Sequence, residues 1–130
     1  MHHPIYTSGR YRASAFVNRA TLESIFTRNH VSAVFSGHEH IYQRSTLQNG
    51  IQYFISGGAG SLRRGDGAPA PYVARTYSAN YHFMLVEIEG DVLHFQAISR
   101  TGATIDAGRL RREPAHETHT LTRVDTPAPQ

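Results

Sequence analysis

Residues 31–40 read VSAVFSGHEH, an apolar run that ends in a glycine followed by two histidines. The run is too short for a helix and is bounded by turn residues, so it predicts a buried strand over residues 31–36. Gly37 permits a tight turn that a side chain would block. Because that turn breaks the strand pleat, His38 and His40 can point into one cavity mouth. Imidazole is the commonest metal ligand in proteins, so the pair predicts half of a metal site.

A second histidine cluster lies at the start of the chain, where residues 1–9 read MHHPIYTSG. His2 and His3 are expected to lie at the carboxyl end of a strand whose other residues would precede Met1. In open α/β sheets, ligands bind beyond the carboxyl ends of the strands. The two histidine clusters are therefore expected at the same edge of one sheet.

The rest of the chain predicts one main helix and several mostly antiparallel strands. The helix is expected over residues 14–28, with Asn29 as its stop signal and an apolar stripe formed by Phe16, Leu22, Ile25 and Phe26. Asn49-Gly50 is a strong hairpin signal between two strands. The strands after residue 40 are expected over residues 43–47, 51–56, 81–89, 92–99 and 104–110, with a polar loop over residues 57–79. This order predicts a mixed α/β (α+β) layered fold.

Composition limits the classes of protein to which the chain can belong. Its 130 residues suffice for one domain, and the absence of cysteine excludes disulfides, thiolate metal sites and cysteine nucleophiles. The net charge is +3 and the arginines are scattered, which argues against a nucleic-acid-binding patch but allows attraction of an anionic substrate. No membrane-spanning stretch or export signal is visible, so a soluble chain is expected.

Two motifs together carry a family resemblance. H-x-P-x-Y-x-S-G over residues 2–9 and VFSGHEH-x-Y-x-R over residues 34–44, with a helix between them, resemble the C-terminal half of the calcineurin-like metallophosphoesterases. The resemblance is to the purple-acid-phosphatase-like subgroup in particular. It covers residues 1–110, which we therefore take as one half of a catalytic domain. Residues 111–130 are polar and contain three prolines, so they are predicted to be a disordered tail.

The resemblance implies a fold, an activity and a set of metal ligands. The fold would be the C-terminal half of a four-layer β-sandwich, and the reaction would be hydrolysis of a phosphomonoester or phosphodiester. Two ions of iron, zinc or manganese would clamp the phosphoryl group while a bridging hydroxide attacks phosphorus. By resemblance, His2 and His38 would bind one ion and His40 the other. His3 is the alternative to His2, because their adjacency leaves the register open.

Three further residues have two alternative roles each. Tyr42 and Arg44 match the aromatic and basic positions that follow the histidine pair in the family. They are expected either to contact phosphate or to form a structural hydrogen bond or ion pair. His82 is expected either to hydrogen-bond a ligating imidazole or to be a strand histidine with its own partners. Glu39, between the two candidate ligands, is expected to point away from the metals.

The chain departs from the family pattern at the carboxylate ligands. The family's Asp-x-His, Gly-Asp-x-x-Asp and Gly-Asn-His motifs are absent from the sequence. At most one zinc-type ion is therefore expected on this chain alone, held by three neutral imidazoles. The chain is expected to be a fragment, inactive by itself, whose missing N-terminal half is covalent or a separate partner. Relatives of this subgroup are often periplasmic or secreted, and the sequence leaves the compartment open.

A second function class remains open beside the phosphoesterase. The chain can be a non-catalytic β-rich binding or assembly module that retains at most a mononuclear histidine site. A phosphoesterase needs the missing carboxylates from elsewhere, whereas a binding module does not.

Overall fold

A computed structural model describes residues 1–112 as one helix and seven strands. In chain order these are α1 Arg12–Arg28, β1 Ala33–Ser36, β2 Tyr42–Ser45, β3 Gln52–Ser56, β4 Val73–Tyr77, β5 His82–Glu89, β6 Val92–Ser99 and β7 Thr104–Arg111. The strands form two mostly antiparallel sheets, so the predicted mixed fold with one main helix is confirmed. The predicted tail, residues 111–130, was placed one residue too early, because Arg111 is the last residue of β7. Its part from residue 113 onward lies outside the described residues.

The first sheet has the strand order β1-β3-β2-β4 and carries the histidine-bearing turn. Strand β1 runs parallel to β3, whereas β2 is antiparallel to both β3 and β4. The predicted hairpin between β2 and β3 is confirmed. Asn49 and Gly50 have φ values of 50° and 78°, and Gln48 and Ile51 form the bridge beside them. Two successive left-handed residues are what a type I′ turn requires.

The second sheet, β5-β6-β7, is fully antiparallel and packs on the first. Phe54 of β3 meets Phe95 of β6 with ring centroids 4.8 Å apart, in an edge-to-face arrangement. A second buried cluster joins Tyr42 of β2 to Ala97 and Ile105 of the other sheet. These contacts make the two sheets one layered unit behind the histidine-bearing edge.

The helix packs on the other face through a narrower stripe than the sequence predicts. Leu22 and Phe26 contact a core cluster that includes Val34 of β1, and Ala15 is also buried. The predicted stripe residues Phe16 and Ile25 are 65% and 40% exposed, so their assignment to the core was wrong. Each lies to one side of the line that Ala15, Leu22 and Phe26 form along the helix.

Strand β4 is the element that the sequence prediction missed. Residues 57–79 were expected to form a polar loop, but Val73–Tyr77 pair with β2 at the edge of the first sheet. The strand is only half-buried, and its residues, VARTY, alternate weakly between apolar and polar. The stretch before it is rich in proline and glycine, which favours the prediction of a loop. Within residues 1–112, no helix is both long and apolar enough to cross a membrane.

Candidate metal site

Three histidines from the two sequence motifs converge at the end of β1. His2, His3 and His38 each offer a ring nitrogen, and these nitrogens all lie within 4.8 Å of one another. His2 Nε2 and His38 Nδ1 lie 3.1 Å apart, at hydrogen-bonding distance. His2 and His3 are exposed and His38 is half-buried, so the group opens to solvent.

Backbone contacts hold the first residues of the chain beside the histidine turn. The Gly37 N–H donates to the His2 carbonyl at 3.0 Å, and the Met1 amino group donates to the Phe35 carbonyl at 2.9 Å. The left-handed residue of the turn is His38, with φ of 61°, and not Gly37, where we expected the tight backbone. A histidine in this conformation is uncommon and costs free energy, a feature that clusters at functional sites.

The three imidazoles are a donor set that could hold one zinc-type ion. Two nitrogens bound to a tetrahedral zinc stand about 3.3 Å apart, close to the His2–His38 separation. Desolvation, with repulsion from His3 and His2, lowers the pKa of His38, which favours the neutral imidazole that binds metal. Among residues 1–112, this group contains no carboxylate. Three imidazoles without a carboxylate would hold one ion rather than two.

His40 does not join this group. Its side chain is half-buried, and its carbonyl accepts a hydrogen bond from the Arg63 N–H at 3.1 Å. In the structure, His2 and His3 therefore both lie beside His38. That His40 binds a second ion remains a prediction.

Glu39 is fully buried, and its carboxylate binds the segment that follows the first histidine motif. One oxygen, Oε1, accepts hydrogen bonds from Thr7 Oγ1 at 3.2 Å and from the Tyr11 N–H at 2.7 Å. A Cβ at Gly9 would lie 2.7 Å from this carboxylate, so a larger residue there would displace the carboxylate from this position. Glu39 thereby ties the two histidine motifs together, a role that the sequence analysis did not identify.

Tyr42 and Arg44 converge on Asp106 of β7. The Tyr42 hydroxyl donates to Asp106 Oδ2 at 2.8 Å, and Arg44 Nε donates to the same oxygen at 2.7 Å. Burial raises the pKa of Tyr42, so its hydroxyl stays protonated. Of the two alternative roles, the structure favours the structural hydrogen bond and ion pair. Asp106 lies 62 residues from Arg44, and no local sequence pattern predicts this pairing.

His82 is buried at the start of β5, beside Tyr42 and Gly58. Its ring centroid lies 5.9 Å from that of Tyr42, and a Cβ at Gly58 would meet the imidazole at 2.2 Å. Nδ1 lies 3.3 Å from the Asn80 carbonyl, and Nε2 has no hydrogen-bond partner among the described residues. His82 therefore belongs to the packing between the sheets and is not a member of the three-histidine group.

The burial of His82 predicts a pH-dependent stability. Desolvation lowers its pKa below the ordinary value of 6.5, so the unfolded chain binds a proton at a higher pH than the folded one. The free energy of unfolding should fall as pH drops from about 7.5 to about 5. Urea unfolding of the wild type and of His82→Gln at both pH values measures this, with exposed His94→Gln as control. An equal pH dependence in all three proteins would contradict it.

Comparisons with known proteins agree with this fold at a coarse level. No family model matches the chain. Over 70 residues the chain is 37% identical to purple acid phosphatase 5 of Arabidopsis thaliana, and equally to purple acid phosphatase 19 of the same plant. Each match covers 53% of this chain and 18% of the relative, so the chain spans about a fifth of these curated relatives.

A solved structure shares the fold over most of the described chain. It is GAP50, titled the anchor in the inner membrane complex of Plasmodium, with a TM-score of 0.77 and 19% sequence identity. The alignment covers 87% of this chain and 35% of that chain. At that identity the likeness shows the fold alone. The partial identity to the plant enzymes supports the calcineurin-like phosphoesterase family and nothing finer.

Proposed function

We propose that this chain carries the histidine part of a metal-dependent phosphoesterase site. The observation that carries the proposal is the convergence of His2, His3 and His38, which come from two motifs on either side of the helix. The partial identity with two purple acid phosphatases supports phosphate esters as the substrate class.

The residues of the chain have separate tasks in this proposal. His2, His3 and His38 would hold one ion through neutral imidazoles, and Glu39 keeps the two motifs in register by binding Thr7. The bound ion would polarise a phosphoryl oxygen and activate water. A dinuclear centre with His40 as a ligand would need carboxylates from further residues, because the group contains none among residues 1–112. Those carboxylates would come from the same polypeptide or from a partner.

A second candidate function is a non-catalytic assembly module. The observation that favours it is the shared fold with GAP50, which is described as an anchor. In that case the histidine group would be at most a single-ion site without turnover. The two candidate functions predict different results when the missing carboxylates are supplied. The phosphoesterase should then hydrolyse its substrate, whereas the assembly module should not.

Zinc binding tests the histidine group directly. Titration calorimetry with a zinc salt should give one ion per chain. His38→Ala should bind zinc at least about 100-fold more weakly, since losing a ligand costs more than losing a partner of a ligand. Exposed His94→Ala is the matched control and should bind as the wild type does. Equal affinity in His38→Ala and His94→Ala would contradict the site.

Hydrolysis of p-nitrophenyl phosphate separates the two candidate functions. The zinc-loaded chain alone should show no hydrolysis above that of free zinc. A fusion to an N-terminal segment of a purple acid phosphatase that carries its carboxylate motifs should hydrolyse the ester, and His40→Ala in that fusion should abolish turnover. A well-folded fusion that binds two ions without turnover would favour the assembly module.

A further inference from the structure

The second sheet has two edge strands, β5 on one side and β7 on the other. Each pairs with β6 alone, so neither has a strand on its outer edge among residues 1–112. At the start of β5 the His82 N–H donates to the Gly58 carbonyl at 3.3 Å, but no such contact from a described residue covers its far end, residues 86–89. An open edge presents free backbone N–H and C=O groups that can pair with a strand of another chain.

The outer faces of these two strands carry opposite charges. Phe95 of β6 packs on the first sheet, so residues that alternate with it in the register point away from that sheet. These outward residues include two glutamates of β5 and two arginines of β7, namely Glu87, Glu89, Arg109 and Arg111. All four are exposed, and none forms an ion pair with another described residue. The far end of β5 is therefore acidic and that of β7 is basic.

The charges of the two ends stand at matching levels across the sheet. Glu87 is level with Arg109, because both pair with the same residue of β6. Glu89 is level with Arg111 for the same reason. Within one chain the two edge strands are two strand spacings apart, about 10 Å between backbones. No ion pair bridges that gap among the described residues, so the charges are available to another chain.

The inner faces of the same two ends are apolar. Ile88 and Leu110 stand level on the side that faces the first sheet, with Leu93 of β6 between them. Ile88 is 74% exposed, so the first sheet does not cover this end. A strand placed beside either end would bury more of this apolar row, which favours association.

A second copy of the chain has the features that both ends require. Both β5 and β7 run antiparallel to β6, so a copy shifted along the sheet places its β5 parallel to β7 of the first copy. In level register, each arginine of β7 then lies beside a glutamate of the neighbouring β5, and Leu110 of one copy lies beside Ile88 of the next. Pairing two copies of the same end through these residues would instead bring like charges together, which is unfavourable.

We propose that copies of this chain associate head to tail, the far end of β7 in one copy (residues 109–111) pairing in parallel with the far end of β5 in the next (residues 87–89). The two surfaces that meet are different, so an assembled pair still offers one free acidic end and one free basic end. Association is therefore open-ended and does not stop at a dimer. None of the residues involved is a candidate metal ligand, so this inference is independent of the proposed function.

Sedimentation velocity of the full chain in EDTA tests the inference, because EDTA prevents metal ions from bridging exposed histidines of two copies. The weight-average mass should rise steadily with protein concentration, and less steeply at high salt, which screens exposed charges. A variant with two basic ends, Glu87→Lys with Glu89→Lys, should associate about 10-fold more weakly than the wild type or worse. A variant with two acidic ends, Arg109→Glu with Arg111→Glu, should lose association in the same way.

Mixing the two variants is the most specific measurement. Each end of one variant is complementary to an end of the other, so the equimolar mixture should associate as strongly as the wild type. The control is Arg12→Glu with Arg28→Glu, at two exposed positions of α1. It changes the net charge as much as the variant with two acidic ends does, and it should associate as the wild type does. Every substituted residue is exposed, so all variants should keep the wild-type circular dichroism spectrum.

Three results would overturn the inference. A wild type that stays monomeric up to about 1 mM, the weak end of specific affinities, would leave both ends to a different polypeptide segment. A mass that stops rising at the dimer would indicate a two-fold contact instead. Association that both variants retain, or that their mixture does not restore, would place the contact elsewhere on the chain. Zinc binding by the histidine group would stand in each case.

Discussion

Gly57→Ala is expected to destabilise the chain by about 3 kcal/mol or more, the upper end for an overpacked site. A Cβ at this position would lie 2.1 Å from the Glu39 carbonyl oxygen and 3.0 Å from its carbonyl carbon. The clash is with backbone, which cannot rotate away as a side chain can. Glu39 is itself fully buried and tied to the N-terminal segment, so the turn cannot retreat. Urea unfolding followed by circular dichroism measures the loss.

Gly60→Ala provides a control three residues further along the same loop. A Cβ there meets no atom within 4 Å, and neither glycine has a left-handed backbone. Both substitutions remove a similar amount of chain entropy from the unfolded state. The difference between the two variants therefore isolates the clash with Glu39. A difference below about 0.5 kcal/mol, the range of neutral surface changes, would show that the loop can shift at little cost.

Asp106→Ala is expected to cost about 2–4 kcal/mol of the free energy of unfolding. The carboxylate accepts hydrogen bonds from the buried Tyr42 hydroxyl and from Arg44, and its own side chain is only 11% exposed. Its removal leaves a buried hydroxyl and a half-buried cation without their acceptor. The contact also joins the two sheets, so its loss weakens the packing between them. Thermal and urea unfolding both measure the change.

A control and a double-mutant cycle make this second expectation specific. Asp91→Ala changes an exposed aspartate in the turn before β6 and should alter stability by less than about 0.5 kcal/mol. Tyr42→Phe should destabilise the wild type but cost much less in the Asp106→Ala background, because its partner is already gone. Additive costs of Tyr42→Phe and Asp106→Ala would mean that the hydrogen bond contributes nothing to stability.

Local patterns sufficed for much of the fold. Asn49-Gly50 specified a hairpin because few other dipeptides accept two left-handed residues in succession. The helix was found with its stop at Asn29, because apolar periodicity and a capping residue are local properties. Strand β4 was missed because an edge strand needs only one apolar face and one partner. The exposure of Phe16 depends on where the helix meets the sheet, and no periodicity encodes that placement.

Only part of the candidate site could be predicted from the sequence. The two histidine motifs indicated which segments meet, because strand ends converge at one edge of a sheet. No local rule predicts the left-handed backbone of His38, nor that His3 lies in the group and His40 outside it. Arg63 and Asp106 approach from distant strands and loops, so only the folded chain brings them to their partners.

The buried carboxylate of Glu39 has a thermodynamic consequence. Because it joins the turn that carries His38 to the loop after His2, the ligand geometry exists only when both segments are folded. Zinc would then bind the native state in preference to the unfolded state, and metal binding would become part of the folding equilibrium. At saturation, each further tenfold rise in free zinc would add about 1.4 kcal/mol to stability. With zinc bound at this site, the metal supply of a cell would thereby change the fraction of the chain that is folded as well as the occupancy of the site.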